Sequence, residues 1–190
     1  MAIFHSHIQI ISRGKGKSAV AAAAYRAGES ITNDYDGVTH DYTRKGGIVH
    51  TEILLPENAP TKYYERAILW NAVEKIEKSK NSQLAREINI ALPIELTREQ
   101  NIILAREYVQ HTFVDIGMCA DLCIHDTGKG NPHAHTVLCV NPGIISIDEY
   151  SVITVSAVSP PMNPSNSPAI IIFCAASKLG TGINVHFLFK

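Results

Sequence analysis

Three histidines in the second half of the chain have the spacing of a metal site. His133 and His135 lie two residues apart, and His125 lies eight residues before His133. The apolar run after His135 predicts a strand that begins at the pair, and residues 119–124 predict the strand before it. Side chains two apart on a strand share one face, and the turn-rich residues 128–132 can return His125 to the pair. Three converging imidazoles suit a divalent cation, whereas the alternative is three surface histidines around a hairpin.

A tyrosine on an alanine-rich segment is the candidate nucleophile. Ser18 is expected to cap a helix over residues 19–27, and Gly28 is expected to end it. A tyrosine on a helix is often a core or boundary residue, but the small neighbours of Tyr25 would leave its hydroxyl reachable. A phenol with a pKa of ~10 is mostly protonated at neutral pH, so it attacks phosphorus only when the phosphate is polarised. A metal on the three histidines would supply that polarisation.

Glu87 is the candidate supporting carboxylate. Residues 84–93 alternate in the manner of a central strand, with Ile88 and Ile90 on one face and Glu87 and Asn89 on the other. A carboxylate on an inner strand requires a partner. One alternative is a simple ion pair, with Glu87 at an exposed strand start. The other is a metal site, where Glu87 would bind the ion or orient a histidine that binds it.

Two polar segments are candidate DNA contacts. The glycine-rich loop 13–17 is either a solvated turn or a clamp for a phosphate, because freed backbone amides beside cations attract anions. The turn-rich segment 31–47 is either a surface loop or a site where aromatic and basic side chains stack on and neutralise single-stranded DNA. The DNA-binding residues predicted in and beside these segments are Arg13, Lys15, Lys17, Arg26, Tyr42, Arg44 and Lys45.

Composition limits the class of protein. The chain has 190 residues, 45% of them hydrophobic and 18% charged, which is typical of a globular domain with a core. The net charge is −1, so a nucleic-acid partner must be held by a local patch or a metal. No apolar stretch has the length of a membrane span, and the N-terminus does not resemble a signal peptide. We therefore expect a cytoplasmic protein with reduced cysteines, of which Cys119 and Cys123 are core residues.

The remaining pattern predicts the elements around these residues. Strands are expected over residues 3–12 and 48–56, and a long helix capped by Thr97 is expected to run to about residue 114. Another helix is expected over residues 61–80. Its buried face is predicted to contain Ala67, Leu69, Trp70, Val73 and Ile76, and its solvated face Glu74, Lys75, Glu77 and Lys78.

Several of these segments together resemble one family. Residues 11–29, which include the predicted helix and Tyr25, resemble the N-terminal motif of MobA/MobL-type plasmid relaxases. The resemblance covers residues 3 to about 140 in the order of the family. Further matching segments are residues 69–74, 84–87, 91–96, 125–126 and 131–135.

The resemblance implies a fold and an activity. The fold is α+β, an antiparallel sheet flanked by helices, with a ferredoxin-like palm. The activity is metal-dependent nicking and rejoining of one DNA strand at a transfer origin through a 5′-phosphotyrosyl intermediate, for conjugative mobilisation. Magnesium or manganese is the implied ion, and the implied partners are single-stranded origin DNA with accessory mobilisation and coupling proteins. By residue, the nucleophile matches Tyr25, the metal ligands match His125, His133 and His135, and the nearby acidic residue matches Glu87.

The C-terminal segment departs from this resemblance. Residues 1–140 are the predicted relaxase domain, and residues 141–190 form a tail of low charge, with a proline-serine linker at 159–168 and an apolar strand-like run at 170–176. Family members continue with charged sequence, so we expect a tail that derives from a frameshifted or prematurely ended reading frame.

Two other functions fit the same residues. A metal-dependent nuclease or phosphoesterase would use water as its nucleophile and leave no protein–DNA adduct. A non-enzymatic remnant would bind DNA weakly. Rolling-circle replication initiators also carry a His-x-His pair, but their tyrosine follows the pair, whereas Tyr25 precedes it by more than a hundred residues.

Overall fold

A computed structural model describes residues 5–128, 130–139, 172–175 and 185–188. Contacts divide the chain into two compact units, Met1–Ser146 and Ile147–Lys190. All of the predicted site residues lie in the first unit. The expected division of function between residues 1–140 and 141–190 stays a prediction.

The first unit is built on a five-stranded antiparallel sheet, as predicted for an α+β fold. The strand order across the sheet is β1-β5-β7-β6-β4, and a separate hairpin pairs β2 with β3. The strands are β1 Ser6–Ser12, β2 Ser30–Thr32, β3 Thr39–Asp41, β4 Ile48–Leu54, β5 Gln83–Ala91, β6 Ala120–His125 and β7 His133–Cys139.

Three helices flank the sheet. They are α1 Ala19–Ala27, α2 Arg66–Ile76 and α3 Arg98–Val109, the last continuing as a π-helical turn over Gln110–Val114. Local signals explain the ends of α1, because the Ser18 side chain accepts a hydrogen bond from the Ala21 amide and Gly28 adopts a left-handed φ of 68°. The predicted bounds of α1 are therefore confirmed. Thr97 and Gln100 form the capping box that starts α3.

The two faces of the sheet have different partners. Alternate residues of β6 share a face, so Asp121, Cys123 and His125 point the same way. Helix α2 packs on this face, where Trp70 donates a hydrogen bond to Asp121 at 2.9 Å. Helix α3 lies against the other face, where its Arg106 forms an ion pair with Glu52, the residue of β4 that pairs with Leu122. The histidines thus lie on the face covered by α1 and α2.

A buried charge network fixes α2 to the sheet. Asp121 is fully buried and accepts hydrogen bonds from the Nε and Nη2 of Arg66 at 2.8 and 3.0 Å. Arg66 also contacts Glu29, which follows the end of α1. A buried carboxylate is stable only when such donors surround it. The network therefore ties the end of α1 to α2 and to the centre of the sheet.

Three expectations about local structure are wrong in part. Glu74 does not lie on a solvated face, because its side chain is buried against the start of α1. The helix expected over 61–80 is a 3-10 turn at Thr61–Tyr64 followed by the shorter α2. The segment 31–47 is not only a loop, since it contains most of the β2–β3 hairpin.

The second unit contains one described hairpin. β8 Ile172–Ala175 pairs with β9 Val185–Leu188 in antiparallel register. β8 falls within the apolar run expected to be strand-like at 170–176. The predicted linker at 159–168 lies outside the described residues. Among the helices of the described part, none combines the length and apolar character needed to cross a membrane.

Candidate metal and nucleophile site

The three predicted histidines lie together at one end of two adjacent strands. His125 ends β6 and pairs across the ladder with His133, which begins β7, and His135 follows on the same face. One ring nitrogen from each histidine lies within 4.8 Å of the others. His125 and His135 are buried, and His133 is half-buried. The arrangement could hold one metal ion.

Hydrogen bonds define which nitrogen of each ring is available. The Nδ1 of His135 contacts a Glu87 carboxylate oxygen, the Nδ1 of His133 contacts the Asn131 carbonyl and the Nε2 of His125 contacts the Arg26 carbonyl, at 2.7–2.9 Å. These oxygens only accept, so each contacting nitrogen must donate. Within the described part of the chain, the other nitrogen of each ring has no hydrogen-bond partner. Each imidazole in its neutral form therefore presents a lone pair, which is the form that binds a divalent metal.

The protonation states of two histidines favour metal binding near neutral pH. Burial lowers the pKa of His125 to about 4, despite the opposing effect of its bond to Arg26. Burial also lowers the pKa of His135, against the effect of Glu87. Protons therefore compete little with a metal for these two rings at neutral pH.

Glu87 is ionised and buried beneath the cluster. Burial alone would raise its pKa, but hydrogen bonds from His135 and Arg26 and the charge of Arg26 lower it to about 2. The Nε and Nη2 of Arg26 lie 2.5 and 2.9 Å from its two oxygens, and the Nε2 of Gln9 lies 2.6 Å from one of them. Of the two roles considered at a metal site, orienting a histidine is the one that this geometry favours. In the pair of His135 and Glu87, a neutral imidazole donates a hydrogen bond to a carboxylate.

Tyr25 lies at the exposed surface of α1. It is 42% exposed and directly precedes Arg26, whose carbonyl contacts His125. Its ring meets the edge of the Tyr42 ring with 5.1 Å between the centroids. The Nζ of Lys45 is 3.8 Å from the ring centroid and donates to the Tyr25 carbonyl at 2.7 Å. The phenol is thus accessible, and an ammonium group and an aromatic ring hold its orientation.

The predicted DNA-binding residues divide into four groups. Tyr42 and Lys45 adjoin Tyr25, and Lys15 and Arg44 are exposed. The exposed Lys17 donates to Gln9, which connects it to Glu87. Arg13 and Arg26 are held by the protein itself, with Arg13 bound to Glu74 and to carbonyls at the end of α2. DNA contact by these seven residues stays a prediction.

Three residues of the site were missed in the sequence. Gln9 was recognised only as a polar residue of an alternating strand, whereas its side chain donates a hydrogen bond to Glu87. Asp121 interrupts an apolar run, a pattern that by itself indicates a buried carboxylate with a partner. Its partner Arg66 had no comparable signal, because the two residues are 55 apart in the chain.

Comparisons with known proteins agree with the geometry. The antiparallel sheet with flanking helices agrees with the α+β fold that the family resemblance implies. The sequence pattern of the MobA/MobL family matches residues 17–145, and the chain belongs to this family.

Similar proteins have names that refer to conjugal transfer or to mobilization. A conjugal transfer protein TraA of Agrobacterium fabrum is 43% identical over 154 residues, which are 75% of this chain and 14% of TraA. A mobilization protein MobL of Acidithiobacillus ferridurans is 46% identical over 125 residues, 66% of this chain and 32% of MobL. The chain therefore spans only a third or less of the length of these relatives.

A solved structure has the same fold. It is described as "Molecular Basis of Vancomycin Resistance Transfer in Staphylococcus aureus" and aligns with a TM-score of 0.70 at 39% identity. The alignment covers 73% of this chain and 71% of the other.

Proposed function

We propose that the chain nicks and rejoins one strand of DNA at a plasmid transfer origin, with Tyr25 as the nucleophile. The observation that carries the proposal is the hydrogen bond from His125 to the Arg26 carbonyl, because it joins the residue next to the exposed Tyr25 to a cluster of three imidazoles. The family, and the mobilisation proteins among its relatives, supply the biological setting.

The proposed site binds a divalent ion through His125, His133 and His135. Three neutral nitrogens suit later transition metals, whereas the family resemblance favours magnesium or manganese. When bound, the ion acts as a Lewis acid that polarises the non-bridging oxygens of the scissile phosphate.

The chemistry of the chain itself centres on the Tyr25 hydroxyl. Its oxygen forms a bond to phosphorus while the bond from phosphorus to the 3′ oxygen of the preceding nucleotide breaks. The phenol proton leaves to solvent, and the departing oxygen takes up a proton to become a free 3′-hydroxyl. The new 5′-phosphotyrosyl bond is again a phosphodiester, so the reverse attack rejoins the strand without ATP. Lys45 and Tyr42 hold the ring in position during both steps.

The DNA strand is proposed to follow the cations around Tyr25. Lys45 and Lys17 adjoin the site, and the exposed Lys15 and Arg44 extend the positive surface. With a net charge of −1, the chain has no overall attraction for nucleic acid, so this local patch must supply it. Accessory mobilisation and coupling proteins would deliver the complex.

A denaturing gel tests this proposal. The full chain is incubated with manganese or magnesium and a single-stranded oligonucleotide from the transfer origin of the replicon that encodes it. The expected product is a covalent protein–DNA adduct together with a free 3′-hydroxyl fragment, and Tyr25→Phe should form no adduct. Cleavage without an adduct would indicate a nuclease that uses water, and no cleavage would indicate a remnant without activity. An adduct of full yield in Tyr25→Phe would move the nucleophile elsewhere.

A further inference from the structure

Arg26 connects the histidine cluster with the part of the site that contains Tyr25. Its guanidinium donates through Nε and Nη2 to the two oxygens of Glu87, and Glu87 in turn accepts from the Nδ1 of His135. Its main-chain carbonyl accepts from His125. One residue therefore bonds directly to one histidine and through a shared carboxylate to another.

The same residue contacts the nucleophile. The guanidinium carbon of Arg26 lies 4.8 Å from the ring centroid of Tyr25, the residue before it on α1. Its side chain is 16% exposed, so little of the guanidinium is left for a phosphate of a bound strand. The paired carboxylate already neutralises its charge at short range, which weakens its attraction for DNA.

The connection from Arg26 through Glu87 to His135 requires the planar guanidinium group with its two parallel donors. Two parallel donors fix the rotation of the Glu87 carboxylate, so the oxygen bonded to Arg26 Nε also faces His135. A lysine ammonium would supply the charge as a point without fixing that plane. The orientation of the His135 ring therefore depends on the shape of Arg26 as well as on its charge.

We infer that Arg26 is a positioning residue that sets the placement of Tyr25 relative to the histidine cluster, and that it does not serve as a DNA phosphate contact. The inference rests on the proposed function for the identity of the nucleophile and the metal site. It replaces the role of DNA contact that the sequence alone suggested for this residue. It assigns the exposed Arg44, which precedes Lys45 in the chain, to the DNA instead, which makes Arg44 the matched control.

Metal affinity without DNA separates the two roles. Manganese binding is measured by calorimetry for the parent chain, Arg26→Gln, Arg26→Lys and Arg44→Gln, with a melting curve for each. Both Arg26 variants should bind manganese ~10- to 100-fold more weakly, the usual cost of losing a group that orients a metal-bound histidine. Arg44→Gln should bind it as the parent does. Arg26→Lys keeps a counter-ion for the buried Glu87, so it reports on the site even if Arg26→Gln unfolds.

DNA binding supplies the second readout. Affinity for the single-stranded oligonucleotide is measured against salt concentration, with the Tyr25→Phe change added to every protein to prevent cleavage. Each lost phosphate contact should lower the magnitude of the log–log salt slope by ~0.7. We expect this loss for Arg44→Gln and an unchanged slope for both Arg26 variants.

Three results would overturn the inference. A shallower slope for Arg26→Gln with parental manganese affinity would make Arg26 a phosphate contact. Parental manganese affinity in Arg26→Lys would show that charge suffices without the fork. A parent chain that binds no manganese would overturn the inference together with the three-histidine site. Failure of adduct formation in a parent that does bind manganese would overturn only the nicking proposal.

Discussion

The carboxylate of Glu74 accepts a hydrogen bond from the backbone amide of Ala19 at 2.8 Å. A residue in the last turn of α2 thereby satisfies a free amide at the start of α1, the helix that carries Tyr25. The other oxygen of Glu74 accepts from Arg13 at 2.8 Å. A negative charge at a helix N-terminus is also favourable to the helix dipole. The start of the helix that carries Tyr25 thus depends on a side chain 55 residues from Ala19 in the chain.

Glu74→Ala should destabilise the protein strongly. It removes the acceptor for the Ala19 amide and leaves the largely buried Arg13 without its carboxylate. Breaking such a pair from one side costs about 3 kcal/mol of unfolding free energy. Equilibrium unfolding in urea measures it, with the exposed neighbour Lys75→Ala as the control, expected within ~0.5 kcal/mol of the parent. Equal effects of the two changes would show that Glu74 has no such role.

Loss of two histidines should remove most of the affinity for a divalent ion. His133→Ala combined with His135→Ala deletes two of three candidate ligands. Glu87→Gln keeps all three and should weaken binding only ~10- to 100-fold. Calorimetry with manganese checks both, and the exposed His111→Ala is the matched control for removing a histidine outside the cluster. Unchanged binding by the double variant would exclude this site.

DNA affinity should fall as pH rises through about 8. Burial and the charge of Arg26 lower the pKa of Lys45 to about 8, so its positive charge is present below that pH and lost above it. If Lys45 contacts a phosphate, affinity for the oligonucleotide in the Tyr25→Phe background should drop up to ~5-fold across this range, the scale of one exposed ion pair. Lys45→Arg should abolish the drop, because arginine stays charged. An identical drop in Lys45→Arg would assign the titration to another group.

Removal of the second unit, Ile147–Lys190, should leave the proposed adduct formation unchanged. The family match ends at residue 145, and the first unit ends at Ser146. The removed residues include only two cations, Lys178 and Lys190, so few phosphate contacts can be lost. We expect a chain of residues 1–146 to keep its cooperative melting transition and any adduct formation, and to be more soluble without the apolar run at 170–176. Loss of the transition would show that the second unit is structural.

Local sequence patterns were sufficient to predict the bounds of α1 and the clustering of the histidines. Ser18 and Gly28 each act within a few residues of the helix ends that they define, and the period of two along β7 places His133 and His135 on one face. The family resemblance then supplied the assignment of Tyr25 as the candidate nucleophile and the antiparallel sheet. These features depend on signals that are close together in the chain or shared by the family.

Long-range pairing explains what the sequence did not predict. Glu74 looked solvated because it lies among other charged residues, while its partners Ala19 and Arg13 are distant in the chain. Arg26 was predicted only as a DNA contact, and its local sequence does not indicate that β5 brings Glu87 to it. The hairpin of β2 and β3 has strands of only three residues, too short for an alternation of apolar residues to be recognised.

The pairing of His125 with His133 across β6 and β7 has a consequence for how relatives of this chain can differ in length. The alignment of the two imidazoles comes from the ladder and, for the His133 ring, also from the Asn131 carbonyl. The residues between Asp126 and Asn131 have only to close the connection. Lengthening a turn changes the closure free energy slowly, by about 0.6 kcal/mol for each doubling. Deleting one residue inside β7 instead reverses every following side chain through the sheet. Insertions should therefore accumulate at the tip of this hairpin, while the spacing from His133 to His135 cannot change by a single residue.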